Sequence, residues 1–138
     1  MTLELHATPA EVMRAVEALQ EFAQAQGLPD KTVFNLALAL EECASNVVNH
    51  GLKRDASRTF HVRFGREGDA FIIELRDRGP EFDPTTTARK AQAEDGDPPG
   101  GWGTELVRRK MDEIRYRREA GENILRLTKR LSPSAGSK

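Results

Sequence analysis

The sequence predicts a two-layer α+β sandwich, in which helices cover one face of a mostly antiparallel sheet. Two amphipathic helical stretches come early in the chain, and two pairs of alternating stretches, each joined by a short turn, predict β-hairpins. The 138 residues, 38% of them hydrophobic and 31% charged, suit one compact domain. We therefore expect a single domain over residues 1–131, followed by a disordered tail at 132–138.

The first third of the chain predicts one strand and two helices. Residues 2–6 alternate weakly, as in a short edge strand. Helices are predicted at about 9–26 and 30–51, with Thr8 and Asp30 as their N-caps, and a glycine ends each of them. The second of these is the central helix of the fold.

The rest of the chain predicts two hairpins separated by a loop and a helix. In order, the elements are a strand at 58–64, a turn at 65–69, a strand at 71–76, a glycine- and proline-rich lid at about 80–100, a helix at 104–113, and strands at 114–118 and 123–130 joined at Ala120-Gly121. Loops as long as this lid are usually functional or disordered.

Composition excludes several classes of partner. The net charge of -1, from 21 basic and 22 acidic residues, argues against a nucleic-acid surface. No apolar run reaches the ~20 residues that cross a bilayer, and the N-terminus lacks a signal-peptide pattern, so we expect a cytoplasmic protein that binds no membrane. The single cysteine, Cys43, is expected in the core.

The central helix carries a polar stripe that a purely structural helix does not require. Glu42, Asn46, Asn49 and His50 fall on one side, while its apolar residues gather on the other. A carboxylate one turn before a carboxamide forms a useful pair, because the first can take a proton and the second can present a neutral oxygen to a hard cation. A solvated face is the alternative interpretation of such a stripe alone.

Two further motifs lie beyond the central helix. Asp77 and Gly79 form a D-x-G motif where a strand ends, and the sequence GGWG at 100–103 opens directly into a predicted helix. Glycines at a helix N-terminus expose N–H groups where the helix dipole favours an anion, so this arrangement predicts a phosphate site.

Together, the three motifs resemble the N, G1 and G2 boxes of the Bergerat-fold ATPases of the GHKL superfamily. Within it they are most similar to the small anti-sigma-factor serine kinases. The resemblance covers about residues 3–131 and includes LEECASNVVNHG, LRDRGPEFDP and GGWGTELVRRKMDEIRYRREAGENILRLTKRL. It implies a Bergerat fold with bound ATP and Mg²⁺.

The resemblance also implies a role for each motif. Glu42 matches the general base, Asn46 the Mg²⁺ ligand, and Asp77 the acceptor for the exocyclic amine of adenine, with Gly79 leaving room for the base. The remaining ATP-binding residues would be Gly100, Gly101, Trp102, Gly103 and Thr104. Trp102 and Thr104 depart from the apolar residues that the family usually has there. Asn49 has no assigned role, and His50 matches either the family's histidine or a structural helix end.

The implied function is a protein serine/threonine kinase that acts as an anti-sigma factor. It would phosphorylate a STAS-domain anti-anti-sigma protein, and relatives of this kind form homodimers. Two alternatives remain open: a non-catalytic switch in which ATP only gates protein binding, and a histidine kinase catalytic domain detached from its sensor. The second is disfavoured because no helix pair with a phosphoacceptor histidine precedes the central helix.

Overall fold

The computed structural model describes residues 1–83 and 107–131, which form a five-stranded sheet with two helices on one face. All strand pairs are antiparallel, in the order β1-β2-β3-β5-β4. The elements are β1 (Thr2–His6), α1 (Pro9–Ala25), α2 (Asp30–Asn46), β2 (Thr59–Glu67), β3 (Ala70–Asp77), β4 (Glu113–Glu119) and β5 (Glu122–Arg130). The predicted α+β fold is confirmed.

The core lies between the two helices and the sheet. Leu36 and Leu40 of α2 are fully buried, as are Phe60, Phe71 and Ile73 of the strands. These residues follow the helical and alternating periods that predicted the elements. The periodic apolar pattern of the chain therefore specifies which faces of the helices and strands meet.

The two helix N-termini differ from each other. Thr8 caps α1 as predicted, because its side chain accepts a hydrogen bond from the backbone N–H of Glu11, at 3.2 Å. The prediction for Asp30 is wrong: Pro29 is the N-cap of α2, and Asp30 is the first helical residue without a side-chain cap bond. A carboxylate in the first turn still stabilises a helix through the dipole.

The central helix does not end as a plain α-helix. After Asn46 the chain continues as a π-helical turn, Val47–Gly51, in which the N–H of Leu52 donates to the carbonyl of Val47, at 2.7 Å. Lys53 and Arg54 then both take left-handed backbone conformations, with φ of 56° and 59°. The sequence predicted the end of the helix near Gly51 but not its wider turn.

Both predicted hairpins are present, but the residues at which their strands begin and end differ from the prediction. The first turn is shorter than the predicted 65–69, because Gly65 still pairs with Ile72 and the strand continues to Glu67. Ala120 and Gly121 form the second turn with positive φ at both positions, as a two-residue hairpin requires. The helix predicted over 104–113 ends earlier, since residues 107–110 are helical and Glu113 already belongs to β4.

The predicted lid at 80–100 falls mostly outside the described residues, as does the tail at 132–138. Within residues 1–83 and 107–131, no helix has the length and apolar character needed to cross a membrane.

Candidate active site

A pocket opens between the end of the central helix and the strand ends of β3 and β5. Its lining combines an apolar floor with a few polar groups, and consists of Cys43, Asn46, Val47, Gly51, Leu75, Asp77, Phe82, Tyr116, Asn123 and Leu125. Such a cleft, with few polar groups converging on it, has the form of a small-molecule site.

The pocket brings together residues from two of the three sequence motifs. Asn46 of the central helix and Asp77 at the end of β3 both line it. Glu42 is not among the lining residues, but it lies one helical turn before Asn46 and is half-buried. The predicted phosphate-binding residues Gly100, Gly101, Trp102, Gly103 and Thr104 lie outside the described part of the chain.

Asp77 is buried, with 7% of its surface exposed, and its two carboxylate oxygens differ in their partners. Oδ1 accepts hydrogen bonds from the backbone N–H of Gly79, at 2.8 Å, and from Nδ2 of Asn123, at 3.0 Å. No donor among the described residues is within hydrogen-bond distance of Oδ2. Since a buried acceptor without a donor is unfavourable, Oδ2 is suited to a hydrogen bond from a ligand.

Gly79 is held where a side chain does not fit. A β-carbon at this position would lie 2.7 Å from the carbonyl oxygen of Gly51 and 3.0 Å from Oδ1 of Asp77. The glycine thus lets the loop after β3 pack directly against the end of the central helix. This contact is a second reason for glycine at position 79. The predicted reason was that glycine leaves room for a bound base.

We expect Gly79→Ala to destabilise the protein by about 1–3 kcal/mol, because the methyl group forces apart the Gly51 backbone and the Asp77 carboxylate. Nucleotide affinity should fall as well, since both of those residues line the pocket. Thermal unfolding and titration calorimetry measure the two effects. Gly65→Ala is the matched control, because a β-carbon there has no neighbour within 4 Å; equal losses in both variants would contradict the prediction.

Asn123, on β5, is a site residue that the sequence reasoning missed. It is 5% exposed and pairs directly with Asp77 in the β3–β5 register. Its carboxamide binds both Asp77 and the loop that follows it, through Pro80 and Phe82. The available signal was an asparagine inside a strand, where that residue is disfavoured unless it has a specific partner.

Burial raises the pKa of the Glu42 carboxyl above its ordinary value, and the neighbouring charge of Glu41 raises it further. Next to it, burial raises the pKa of the Cys43 thiol to about 12, so this cysteine stays protonated and unreactive in the pocket floor. Glu42 is therefore a carboxylate with increased proton affinity beside a small-molecule pocket, which is the property of a general base.

Asn49 and His50 are not among the pocket-lining residues, although His50 contacts Phe82, which is one of them. The Asn49 carboxamide oxygen accepts a hydrogen bond from Nε of Arg54, at 2.7 Å, next to the left-handed turn. The His50 ring is exposed and stacks on Phe82, with ring centroids 5.8 Å apart. These contacts support the structural interpretation of His50, because they join the helix end to the loop after β3.

Among the described residues, a metal ion would find few protein ligands. No group of three histidine, cysteine, aspartate or glutamate side chains within residues 1–83 and 107–131 could hold one. Asn46, however, offers a neutral oxygen at the pocket wall. This donor set fits Mg²⁺, which usually takes one or two protein ligands and completes its shell with phosphates and water.

Two features define the class of protein. One is the antiparallel sheet with two helices on one face, and the other is the pocket between a polar helix end and an aspartate at a strand end. The family described as histidine kinase-like ATPase domain matches residues 5–129, and the chain belongs to this family. The resemblance inferred from the three motifs is confirmed.

Particular relatives agree with this class. The chain is 28% identical over 136 residues to serine/threonine-protein kinase BtrW of Bordetella bronchiseptica, covering 97% of this chain and 96% of that protein. It is 28% identical over 115 residues to serine-protein kinase RsbW of Bacillus subtilis, covering 77% and 70%.

Solved structures show the same fold. One contains the RsbU and RsbW domains of Rv1364c from Mycobacterium tuberculosis, with a TM-score of 0.70, 22% identity, and coverage of 95% of this chain and 31% of that longer chain. Another is the SiaB-SiaC complex from Pseudomonas aeruginosa, with a TM-score of 0.71, 12% identity, and coverage of 93% and 88%.

Proposed function

We propose that this protein is an ATP-dependent protein serine/threonine kinase that acts as an anti-sigma factor. The observation that carries the proposal is the pocket in which Asn46 and Asp77 meet, with Glu42 one turn away, in a chain of the histidine kinase-like ATPase family. The kinase names of the relatives support the reaction class.

The lining of the pocket supports binding of adenine. The base would enter between the apolar floor, which includes Leu75 and Leu125, and the aromatic residues Phe82 and Tyr116. There its exocyclic amine donates a hydrogen bond to Oδ2 of Asp77, the oxygen without a described donor. A site with a buried acceptor discriminates against bases that lack the matching donor.

Phosphoryl transfer needs one base and charge neutralisation. Glu42 accepts the proton of a serine or threonine hydroxyl as that oxygen bonds to the γ-phosphorus, while the bond from this phosphorus to the bridging oxygen breaks and ADP leaves. Asn46 would hold a Mg²⁺ ion, which supplies positive charge beside the phosphates. The glycines at 100–103 stay the predicted cradle for those phosphates.

The partners follow from the sequence resemblance. The substrate is a STAS-domain anti-anti-sigma protein, and a sigma factor is the second partner, which is released when the STAS protein binds. The kinase acts as a homodimer. Since ATP and sigma factors are found in the cytoplasm, the proposal places the protein there, with no direct contact to nucleic acid.

Labelled ATP tests the reaction. The purified protein is incubated with γ-labelled ATP, Mg²⁺ and a STAS-domain protein from the same cell, and label on the STAS protein is expected at a serine or threonine. Binding of ATP without transfer would support the non-catalytic switch instead. Label on a histidine of the protein would support the histidine kinase alternative.

The rate of transfer is expected to fall as the pH is lowered, because only ionised Glu42 accepts a proton. Since the pKa of Glu42 is raised, this loss should begin above the ordinary glutamate value of 4.5. Glu41→Gln removes one of the two causes of the raised pKa, so the fall should move to lower pH. Single-turnover rates measured across acidic pH check this, and an unmoved profile would contradict it.

A further inference from the structure

Asn123 is buried inside a β-strand, directly opposite Asp77. On the basis of the proposed kinase function, we infer that Asn123 is a positioning residue for base recognition. Its carboxamide holds the Asp77 carboxylate so that Oδ1 is occupied by the protein and Oδ2 is left to accept from the base. The selectivity of the pocket for adenine then depends on Asn123, although Asn123 itself need not touch the nucleotide.

The amide nitrogen of Asn123 hydrogen-bonds both to the Asp77 carboxylate and to the loop after β3. Nδ2 donates to Oδ1 of Asp77, at 3.0 Å, and to the carbonyl of Pro80, at 2.9 Å, with the carbonyl of Gly79 at 3.4 Å. The N–H of Gly79 also donates to Oδ1 of Asp77. The carboxylate cannot turn about its side-chain bonds without losing both donors on Oδ1.

The amide oxygen of Asn123 determines which way the carboxamide faces. It accepts from the Tyr116 hydroxyl, at 2.5 Å, from Nη1 of Arg118, at 3.0 Å, and from the backbone N–H of Phe82, at 3.3 Å. Turning the amide over would set its NH₂ group against three donors. Burial raises the pKa of Tyr116, which keeps its hydroxyl protonated as a donor. Two residues of β4 thereby orient Asn123, and Asn123 orients Asp77.

This arrangement explains selectivity for a base with an amino group. A fixed carboxylate presents only acceptors, so it favours a donor such as the 6-amino group of adenine and leaves the 6-oxo group of guanine without a partner. Without Asn123, Oδ1 would lose one of its two donors and the carboxylate would be free to turn toward water. Binding would weaken most for the nucleotide whose amine depends on the oriented oxygen.

Two nucleotides that differ only in this amine test the inference. Calorimetry compares ATP with purine riboside 5′-triphosphate, which lacks the 6-amino group. The unchanged protein is expected to prefer ATP by roughly 10- to 100-fold, and Asn123→Ala to reduce that preference to less than about threefold. Leu127→Ala is the control, because it removes a fully buried side chain from the same strand outside the pocket lining. It should keep the original preference.

The outcomes separate this inference from the proposed function. Equal weakening of both nucleotides in Asn123→Ala, with the preference kept, assigns Asn123 a merely structural role and overturns the inference alone. No ATP binding by the unchanged protein overturns the kinase proposal and the inference with it.

Asn123→Asp keeps the side-chain shape and provides a test if the alanine variant does not fold. It sets a second carboxylate against Asp77. The other oxygen of the new carboxylate would contact Arg118 and Tyr116, and Glu81 lies close to Tyr116. Two carboxylates this close share a proton, and that proton restores the missing donor. The preference for ATP should therefore rise in this variant as the pH is lowered through the range in which the pair takes up its proton, and stay level in the unchanged protein. A level preference in the variant overturns the inference.

Discussion

Replacing Glu42 with glutamine is expected to reduce phosphoryl transfer by about 10²- to 10⁴-fold while leaving ATP affinity nearly unchanged. Glutamine keeps the size and the hydrogen-bonding oxygen of the side chain but cannot take a proton. Since Glu42 is not among the residues that line the pocket, the substitution leaves the contacts to the base intact.

The folded state should tolerate Glu42→Gln well. A raised carboxyl pKa means that folding disfavours the ionised form, so the stability that Glu42 contributes is present at low pH and is lost as the pH rises through that pKa. A neutral glutamine removes this unfavourable charge, and the midpoint of thermal unfolding at neutral pH should stay level or rise. A loss of activity together with a gain of stability is typical of catalytic residues.

Single-turnover transfer, calorimetry with ATP and thermal unfolding measure these three quantities. Glu41→Gln is the matched control, because it removes the adjacent, similarly half-buried charge. Well above the acidic range it should transfer phosphate at close to the original rate. If the Glu42→Gln variant transferred phosphate as fast as the Glu41→Gln variant, Glu42 would not be the general base.

Asp77→Asn is expected to weaken ATP binding by about 100-fold or more. Oδ1 of Asp77 already accepts from Gly79 and Asn123, so the new amide keeps its oxygen on that side and sets its NH₂ group where Oδ2 was. That NH₂ group faces the amine of adenine, and two donors repel each other. Turning the amide over relieves this repulsion but opposes the Gly79 and Asn123 donors instead.

Calorimetry with ATP measures the loss, and circular dichroism verifies that the variant is folded. Asp69→Asn offers a matched control, because it makes the same chemical change in the turn before β3, at the opposite end of the strand from Asp77. Unaltered ATP affinity in the Asp77 variant would show that the nucleotide is recognised elsewhere.

The helices and strands with a periodic apolar pattern could be predicted from the sequence. The apolar residues of the central helix and of the hairpins follow regular periods, which identify the buried faces without knowledge of the partners. The site residues Asn46 and Asp77 were predicted through motifs, and the pocket places them together. The roles assigned to Glu42, Asn46 and Asp77, and to the glycines at 100–103, stay predictions.

The features that the sequence did not predict depend on contacts between distant residues. Asn123 is 46 positions from Asp77, and only the strand register sets them opposite each other. The Asp30 cap was predicted from residue type, but whether a side chain caps a helix depends on where the preceding backbone turns. The π-helical turn is likewise marked by no local pattern, although its last residue, Gly51, lies against Gly79 of the distant loop after β3.

That wider turn leaves chain length adjustable by one residue at Val47–Gly51. A π-helical turn accommodates about one more residue than the α-helical ladder it interrupts. Deleting a single residue there would restore regular α-helical winding, in which one residue fewer completes about the same rotation, so the chain on either side keeps its direction. Homologous chains should therefore include members that lack one position across this turn yet keep the same fold on both sides of it.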